Sequence, residues 1–451
     1  MKIIILGAGE VGYNLAKNLS SEGHDIVIID NDPDKIQKIN ESLDVMSIHG
    51  DGTGMHNLKR AGIDSADMLV AVTSTDESNL IACMIAKKFG VKTKIARVRN
   101  TDYSSPDFVL TPEEMGTDMM INPELEAANE ITRLIRYPQA FDMLEFCGGR
   151  IILVGILIEE HSTVIGKTLS EIVPHLGELT FRAVAISRDG QTIIPQGSEK
   201  VKIGDRFYVV VKREMISEIF RLSAGEIKEI HNIMILGGGK IGRQVAENLS
   251  EVKHISVKLI ETNKEKSRMI AEKLTNTLVV HGDGTDIDLL AQEGIIEMDA
   301  FIALTDDDEN NIVSSLLARH LRVKRTITLV SRGDYMPIIK TIGLDVAVNM
   351  RLITSNSILR FIRSGSIVSL NTLKGIEAET IEFEISDNCK VANKKLHNIK
   401  FPSGVIVGAL MHKDGEVSVP IGNSVIQPGD RAIVFTLPQS VRQVEKMFTS
   451  N

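Results

Sequence analysis

Residues 3–12 read IIILGAGEVG, and residues 233–242 read IMILGGGKIG. Each is an apolar run of strand character that leads into a glycine turn. The turns are Gly7-x-Gly9-x-x-Gly12 and Gly237-x-Gly239-x-x-Gly242. A single turn of this kind is a weak dinucleotide-binding signal. Two copies within a longer duplication are a strong one, because chance would have to act twice at matching places.

The duplication runs outward from these turns. His281-Gly-Asp-Gly-Thr285 repeats His49-Gly-Asp-Gly-Thr53, and Thr305-x-x-Asp308-x-x-Asn311 repeats Thr73-x-x-Asp76-x-x-Asn79. Phe-Ile-Arg363 answers Leu-Ile-Arg136. Further on, Asp414-Gly415, Pro420, Gly422 and Gly429-Asp430 mirror Asp189-Gly190, Pro195, Gly197 and Gly204-Asp205. The repeating unit is therefore half the chain.

Composition narrows the class. The chain has 451 residues, 43% hydrophobic and 25% charged, as in a globular protein of several domains. A net charge of −9 argues against general nucleic-acid binding and against adhesion to an anionic membrane by charge alone. Three scattered cysteines (Cys83, Cys147, Cys389) form no CxxC, which fits a reducing compartment and no thiolate zinc site. The longest apolar run, Ile151–Ile158, falls far short of the ~20 residues that cross a bilayer, and no charged leader precedes the first strand. A membrane role is thus expected to be peripheral.

Short apolar runs alternate with helical stretches over residues 1–140. Strands are expected at Lys2–Leu6, Asp25–Asp30, Val45–His49, Met68–Thr73 and Thr93–Val98, with helices such as Val11–Ser20 and Asp34–Glu41 between them. That alternation predicts a parallel sheet covered on both faces. Asn122-Pro123-Glu124 predicts a helix start that runs to about Arg136 and leads out of the first domain. Residues 141–227 have a different texture: β-rich runs at Arg150–Leu157, Thr180–Ser187 and Arg206–Val211, with a hairpin turn at Arg188-Asp189-Gly190. The fold class is α/β: two Rossmann-like, doubly wound parallel-sheet domains (1–140 and 228–365), each followed by a small α+β domain (141–227 and 366–451).

The motifs define candidate binding residues. Gly7 permits the tight turn, Gly9 lets the backbone approach a pyrophosphate, and Gly12 lets the helix pack on the strand. The helix that opens at Glu10 and Val11 offers its free N–H groups to phosphate. Gly237, Gly239, Lys240, Ile241 and Gly242 repeat the arrangement. Asp30 lies 18 residues after Gly12, near the ~20 expected of the acid that grips a ribose diol. Glu261 is its counterpart. With no arginine following Asp30, NAD is favoured over NADP, whereas NAD, ATP and ADP share the same diol. Asp51, at the end of the third strand, is placed to accept from an adenine amino group, with Asp283 as its repeat; a plain turn capped by its own side chain is the alternative. Thr53 is a candidate cap for the next helix. Thr73, Asp76 and Asn79, with Thr305 in the second copy, sit across the switch point; the acids there complement the helix dipole, which accounts for them better than a cation site does. Arg97 is placed to reach phosphates as a bidentate donor. Leu329 replaces it, which predicts a second site that is weaker, selective for another ligand, or empty.

Two local patterns are decoys. Gly166-Lys167-Thr168 resembles a P-loop end but has His161 where the first glycine belongs. Tyr13-x-x-x-Lys17 has the spacing of a dehydrogenase pair but lies on the first helix. The chain has no placed acid–base pair, no nucleophile elbow and no metal-ligand cluster.

The combination of GAGEVG, Asp30, HGDGT, TDESN and IARV with a small module carrying IGKTLSEI and GDRFYVV resembles the RCK (KTN) domain pair. Two such pairs in one chain resemble the tandem-RCK regulators of Trk-type potassium uptake, over essentially the whole length. The second half departs at Leu329 and at Asn393-Lys394-Lys395-Leu396. The resemblance implies a non-catalytic regulator on the cytoplasmic face of the cell membrane that binds NAD or NADH, with ATP or ADP at the same sites. It also implies a tetramer whose eight RCK units form a ring, and a TrkH- or TrkG-type potassium channel subunit as partner. The alternatives are an NAD-dependent oxidoreductase, since the fold also serves dehydrogenases, and a free cytosolic nucleotide sensor with no channel partner.

Overall fold

The computed structural model describes residues 1–105, 107–172, 181–189, 191–224, 230–363, 369–372 and 378–448. The first copy runs β1 (Lys2–Leu6), α1 (Glu10–Ser21), β2 (Asp25–Asp30), α2 (Pro33–Ser42), β3 (Met46–His49), α3 (Met55–Arg60), β4 (Met68–Ala71), α4 (Asp76–Lys88), β5 (Thr93–Arg97), β6 (Met119–Ile121) and α5 (Pro123–Arg136). All six strands are parallel, in the order β3-β2-β1-β4-β5-β6. This is the doubly wound order, and its switch point lies between β1 and β4, where such sheets bind ligands. Ile3, Ile4 and Ile5 are all fully buried. Burial on both faces explains a continuous apolar run where a half-buried strand would alternate.

The expected strands Lys2–Leu6 and Asp25–Asp30 coincide with β1 and β2, and the other expected elements differ from the observed ones by a residue or two at their ends. β6 has no counterpart among the expected strands, because a run of only three residues carries no readable periodicity. Helix α5 starts as its sequence predicts: Asn122 Oδ1 accepts from the Leu125 amide at 3.0 Å, with Pro123 in the first turn.

The second copy repeats the sheet with Asn232–Leu236, Ser256–Glu261, Thr277–His281, Ala300–Ala303, Arg325–Leu329 and Val346–Val348, in the same strand order. The chain forms two compact units. One joins both Rossmann copies (1–136 and 230–359), and the other joins both small modules (137–229 and 360–451). Within the first unit, α5 crosses to the other copy. Its Ala127, Ala128, Ile131 and Ile135 are buried together with Ile241, Val245 and Leu249 of the helix Lys240–Ser250.

In the second unit each module is built on a five-stranded antiparallel sheet. In the first module the sheet order is Gln191–Ile193, Phe181–Arg188, Arg206–Lys212, Ile151–Leu157, Ala140–Phe146. The two sheets share apolar packing, with Tyr208 and Val210 of one module buried in a cluster that holds Ile433 and Phe435 of the other. The expected hairpin is present as a pairing of Arg188 with Gln191; Asp189 adopts φ +51°, and Gly190 lies outside the described residues. The repeated Gly-Asp is a turn. Asp205 and Asp430 are 1% exposed, and each accepts the amide three residues back, from Lys202 and Gln427, at 2.8 Å.

Both decoys have structural roles. Thr168 and Glu171 bond reciprocally at the start of the short helix Leu169–Ile172. Gly166 is left-handed at φ +79°, and Asn393, its counterpart in the second half, holds φ +60°, a conformation asparagine tolerates. The Tyr13 ring lies under Lys38 Nζ, 5.5 Å from its centroid.

Candidate functional site

The glycine loop at the end of β1 is built by exclusion. Gly7 has φ +102°, and a Cβ there would also crowd the backbone of Val72. A Cβ on Gly12 would fall 1.8 Å from the Gly7 carbonyl oxygen, so only glycine lets α1 approach this closely. A Cβ on Gly9 would meet nothing within 4 Å, because that side faces open space. Gly9 is also the N-cap of α1, with no side-chain hydrogen bond to the first turn. The free N–H groups and the positive end of the helix dipole therefore point at the opening.

That opening is a cavity of about 590 Å³, within the usual range for small-molecule sites. It brings together Gly7, Gly9, Glu10, Val11, Asp30, Asp51, Thr53, Thr73 and Arg97 of the candidate residues. Asp30 is held at the edge of the loop: Oδ2 accepts from the Ala8 amide at 2.6 Å and Oδ1 from the Asp32 amide at 2.9 Å. These bonds fix the carboxylate's orientation and leave it lone pairs for hydroxyl donors. The Asp51 carboxylate accepts from Thr53 N and Thr53 Oγ1, both at 2.9 Å, and Asp283 holds Thr285 the same way. Both are turns closed by their own side chain. Thr53 does not cap α3: the N-cap is Gly54, because Thr53 spends its hydroxyl on Asp51.

Gly12, Asp76 and Asn79 stand behind the cavity wall and not in it. Asn79 is fully buried; it accepts from Thr73 and donates to the Thr73 and Arg97 carbonyls, tying β4 to β5. Asp76 accepts the Arg99 and Asn100 amides at 2.9 and 2.8 Å. Helix α4, whose N-cap is Thr75, also has no side-chain cap, and Thr75 and Ser78 line the cavity. Two uncapped helix starts thus flank the switch point.

Opposite Asp30 the wall is cationic. Arg97 donates from Nη1 to the Thr73 carbonyl at 3.1 Å, while its buried Nε has no partner. Burial, followed by the charge of Arg99, depresses the Arg97 pKa below the usual arginine range; Glu124 and Asp76 oppose this, and Arg351 adds to it. A buried donor without a partner is expensive unless something fills the space. Arg99 is neutralised by Glu124, with Nε 2.6 Å from Oε1. Arg351, on the helix Met350–Arg363 of the second copy, lines the same cavity and pairs with Glu10 at 2.6 Å. Sequence reasoning missed Arg99 and Arg351. The repeat register held a signal for Arg99, since Ser331 stands in its place: both donate their amide to the matching aspartate, Asp76 or Asp308. For Arg351 there was none, because it reaches the site only through tertiary contact.

The second copy keeps the frame of the loop. Gly237 has φ +100°, and a Cβ on Gly242 would lie 1.9 Å from the Gly237 carbonyl oxygen. Its polar groups are differently engaged. Glu261 is 5% exposed, accepts the Gly238 amide at 3.0 Å and pairs with Lys266 at 2.7 Å. Burial pushes its pKa up, but the Lys266 ion pair and the Asn263 and Gly238 amides hold it below the usual glutamate value. Leu329 is buried in the apolar cluster that contains Ile241 and Leu304. Asp307 caps its helix from within, accepting the Asn310 amide at 2.8 Å. It stands where Thr75 leaves α4 open in the first copy.

All three cysteines are buried thiols, and burial pushes the Cys83 pKa up to about 12 and that of Cys147 to about 11. Among the described residues no group of three or more His, Cys, Asp or Glu side chains is arranged to hold a metal ion, and no helix is long and apolar enough to cross a membrane.

A TrkA-N domain model matches residues 3–123 and 233–350, and a TrkA-C domain model matches residues 153–224 and 380–449. The Trk system potassium uptake protein TrkA homolog 2 of Methanosarcina mazei is 38% identical, covering 99% of this chain and 100% of that protein. TrkA of Halomonas elongata is 36% identical, covering 99% and 98%. Among solved structures, the GsuK RCK domain aligns with a TM-score of 0.61 at 19% identity over 99% of this chain and 94% of that one. The GsuK channel bound to NAD aligns with a TM-score of 0.62 at 18% identity over 99% and 78%. These two establish the fold as a tandem RCK duplication. The relatives are named for potassium uptake and not for an enzyme activity.

Proposed function

The chain belongs to the family of Trk system potassium uptake proteins TrkA, and on that footing we propose that it is the nucleotide-sensing regulatory subunit of a Trk-type potassium channel. The first Rossmann copy is the sensor. One observation carries this reading: the cavity at the end of β1 joins a ribose-binding carboxylate, two uncapped helix starts and an arginine whose buried Nε lacks a partner. That donor set suits a ribose diol at one end and phosphates at the other. The ligands are NAD or NADH, and ATP or ADP at the same site. Gly7, Gly9, Glu10, Val11 and Gly12 form the phosphate loop, Asp30 takes the ribose, Asp51 and Thr53 border the base, and Thr73 and Arg97 meet the phosphates, with Asp76 and Asn79 holding that wall in place.

A TrkH- or TrkG-type membrane subunit is the partner. Four chains supply a ring of eight RCK units on its cytoplasmic face. Gating requires only that a nucleotide bind one ring conformation more tightly than the other and so shift the population.

Calorimetry with NAD, NADH, ATP and ADP tests the site. Asp30→Ala is expected to weaken binding by about tenfold or more, the size of a lost charge-assisted hydrogen bond. Glu261→Ala is expected to leave it unchanged. Wild-type protein that binds none of the four ligands would remove the sensor reading.

A further inference from the structure

The first cavity has a wall that the first copy does not supply. Met350, Arg351 and Thr354 line it, and all three belong to the helix that leaves the second Rossmann copy. Arg351 does not sit there free. Its Nη1 lies 2.6 Å from Glu10 Oε1, and both side chains are 43% exposed. Glu10 is the residue between Gly9 and Val11 in the glycine loop and opens the first turn of α1, where a bound phosphate would lie. An acid at that turn already complements the helix dipole. It therefore occupies, electrostatically, the place of an anionic ligand.

Strand order indicates which part of a ligand would meet it. The ribose acid Asp30 ends β2, on one side of β1. Arg97 ends β5, and Arg99 follows it; Arg351 comes in beside them, on the other side. Whatever extends from the pyrophosphate toward β4 and β5 enters this cationic side. In a dinucleotide that group is a nicotinamide riboside with no terminal phosphate, its ring cationic in NAD and neutral in NADH, and in ATP it is a terminal phosphate. Of the three guanidinium groups, Arg99 has Glu124 and Arg351 has Glu10, while Arg97 has only a carbonyl oxygen. A half-exposed ion pair is weak enough for a multiply charged phosphate to displace it.

We propose that a terminal phosphate in the first cavity takes the Arg351 guanidinium from Glu10, so that nucleotide binding exchanges an ion pair between the two Rossmann copies for one between the second copy and the ligand. This rests on the reading of the first copy as a nucleotide site. The register shows why the device is confined to that copy. Lys240 stands in the glycine loop where Glu10 does, and Glu124 opens α5 where Arg351 opens its helix, with the charges reversed.

The test is calorimetry with ATP, ADP and NAD on the full chain and on Arg351→Gln, Glu10→Gln, the double variant and Asp30→Ala. Arg351→Gln is expected to weaken ATP about tenfold or more, with NAD much less affected. Glu10→Gln is expected to tighten ATP several-fold, because the competing carboxylate is gone, and to do nothing in the Arg351→Gln background. The proposal is overturned if Arg351→Gln leaves ATP affinity within about twofold, or weakens ATP and NAD alike. Should Arg351→Gln fail to fold, Glu10→Gln decides, since unchanged or weaker ATP binding overturns the exchange. Asp30→Ala separates the two levels. If it weakens ATP while the Arg351 and Glu10 variants do not, only the exchange fails. If it too has no effect, or the wild type binds nothing, the nucleotide site fails and takes the exchange with it.

Discussion

The two Rossmann copies share a frame and differ in what fills it. In both, a glycine turns at φ near +100° and a second one lets the helix close on its carbonyl. In the first copy the polar groups around that turn are left without internal partners or only loosely paired: a buried arginine Nε without a partner, two helix starts without caps, a half-exposed ion pair at the rim. In the second, the helix start at Gly239 is uncapped as well, but three neighbouring positions are engaged from within. Lys266 holds the acid, Leu329 joins the core, and Asp307 caps the helix. Steric requirements on a backbone turn survive duplication because every copy of the fold needs them. Charges aimed at a ligand survive only where a ligand repays the stability they cost.

The difference breaks most sharply if the fifth-strand residues are exchanged. Leu329→Arg puts an unpaired charge into an apolar cluster and should destabilise the protein by about 3–5 kcal/mol, read as a fall in the denaturation midpoint. The reverse change, Arg97→Leu, removes a half-satisfied cation and should raise stability by about 1 kcal/mol while weakening nucleotide binding. Equal and small effects at the two positions would erase the contrast.

Where the copies are alike, effects should be alike. Gly12→Ala and Gly242→Ala each force a methyl into a carbonyl oxygen and should each cost about 2–3 kcal/mol. Chemical denaturation that separates the two would show that one helix has room to retreat.

The smallest effect distinguishes the acids. The Glu261 pKa is depressed in the folded state, so its ion pair contributes stability at pH values above the unfolded glutamate pKa of about 4.3. That contribution is lost as the pH falls through the lower folded value. Glu261→Gln should lower the Tm by a few degrees near pH 6, about 1 kcal/mol, and the gap to the wild type should close toward pH 3. A gap that persists in acid would mean that the Lys266 pair is not its source.

Much of this was legible in the residues. The strand–glycine–helix punctuation placed β1, α1 and β2 almost to the residue, and the Asn122 cap placed α5. These are local signals, set by sterics at Gly7 and by the hydrogen-bonding reach of one side chain. The role of Asp51 was ambiguous in sequence, because an aspartate two residues before a threonine reads equally as a turn or as a base contact. The three residues of β6 left no pattern. Asp76 and Asn79 were legible as a repeated motif but not as a wall, since only packing reveals that Asn79 bonds to β4 and β5 together.

The sequence by itself determined the duplication, the doubly wound sheets, the glycine loop and the carboxylate beside it, because each depends on residues close together in the chain and on what a backbone turn sterically allows. Tertiary structure alone decided how the neighbours of each glycine loop are engaged, that the Arg97 Nε is left without a partner, and that Arg351 lines a site begun at Gly7. Those outcomes depend on the packing of helices from opposite halves of the chain, and the dielectric and geometry that packing creates have no counterpart in local sequence.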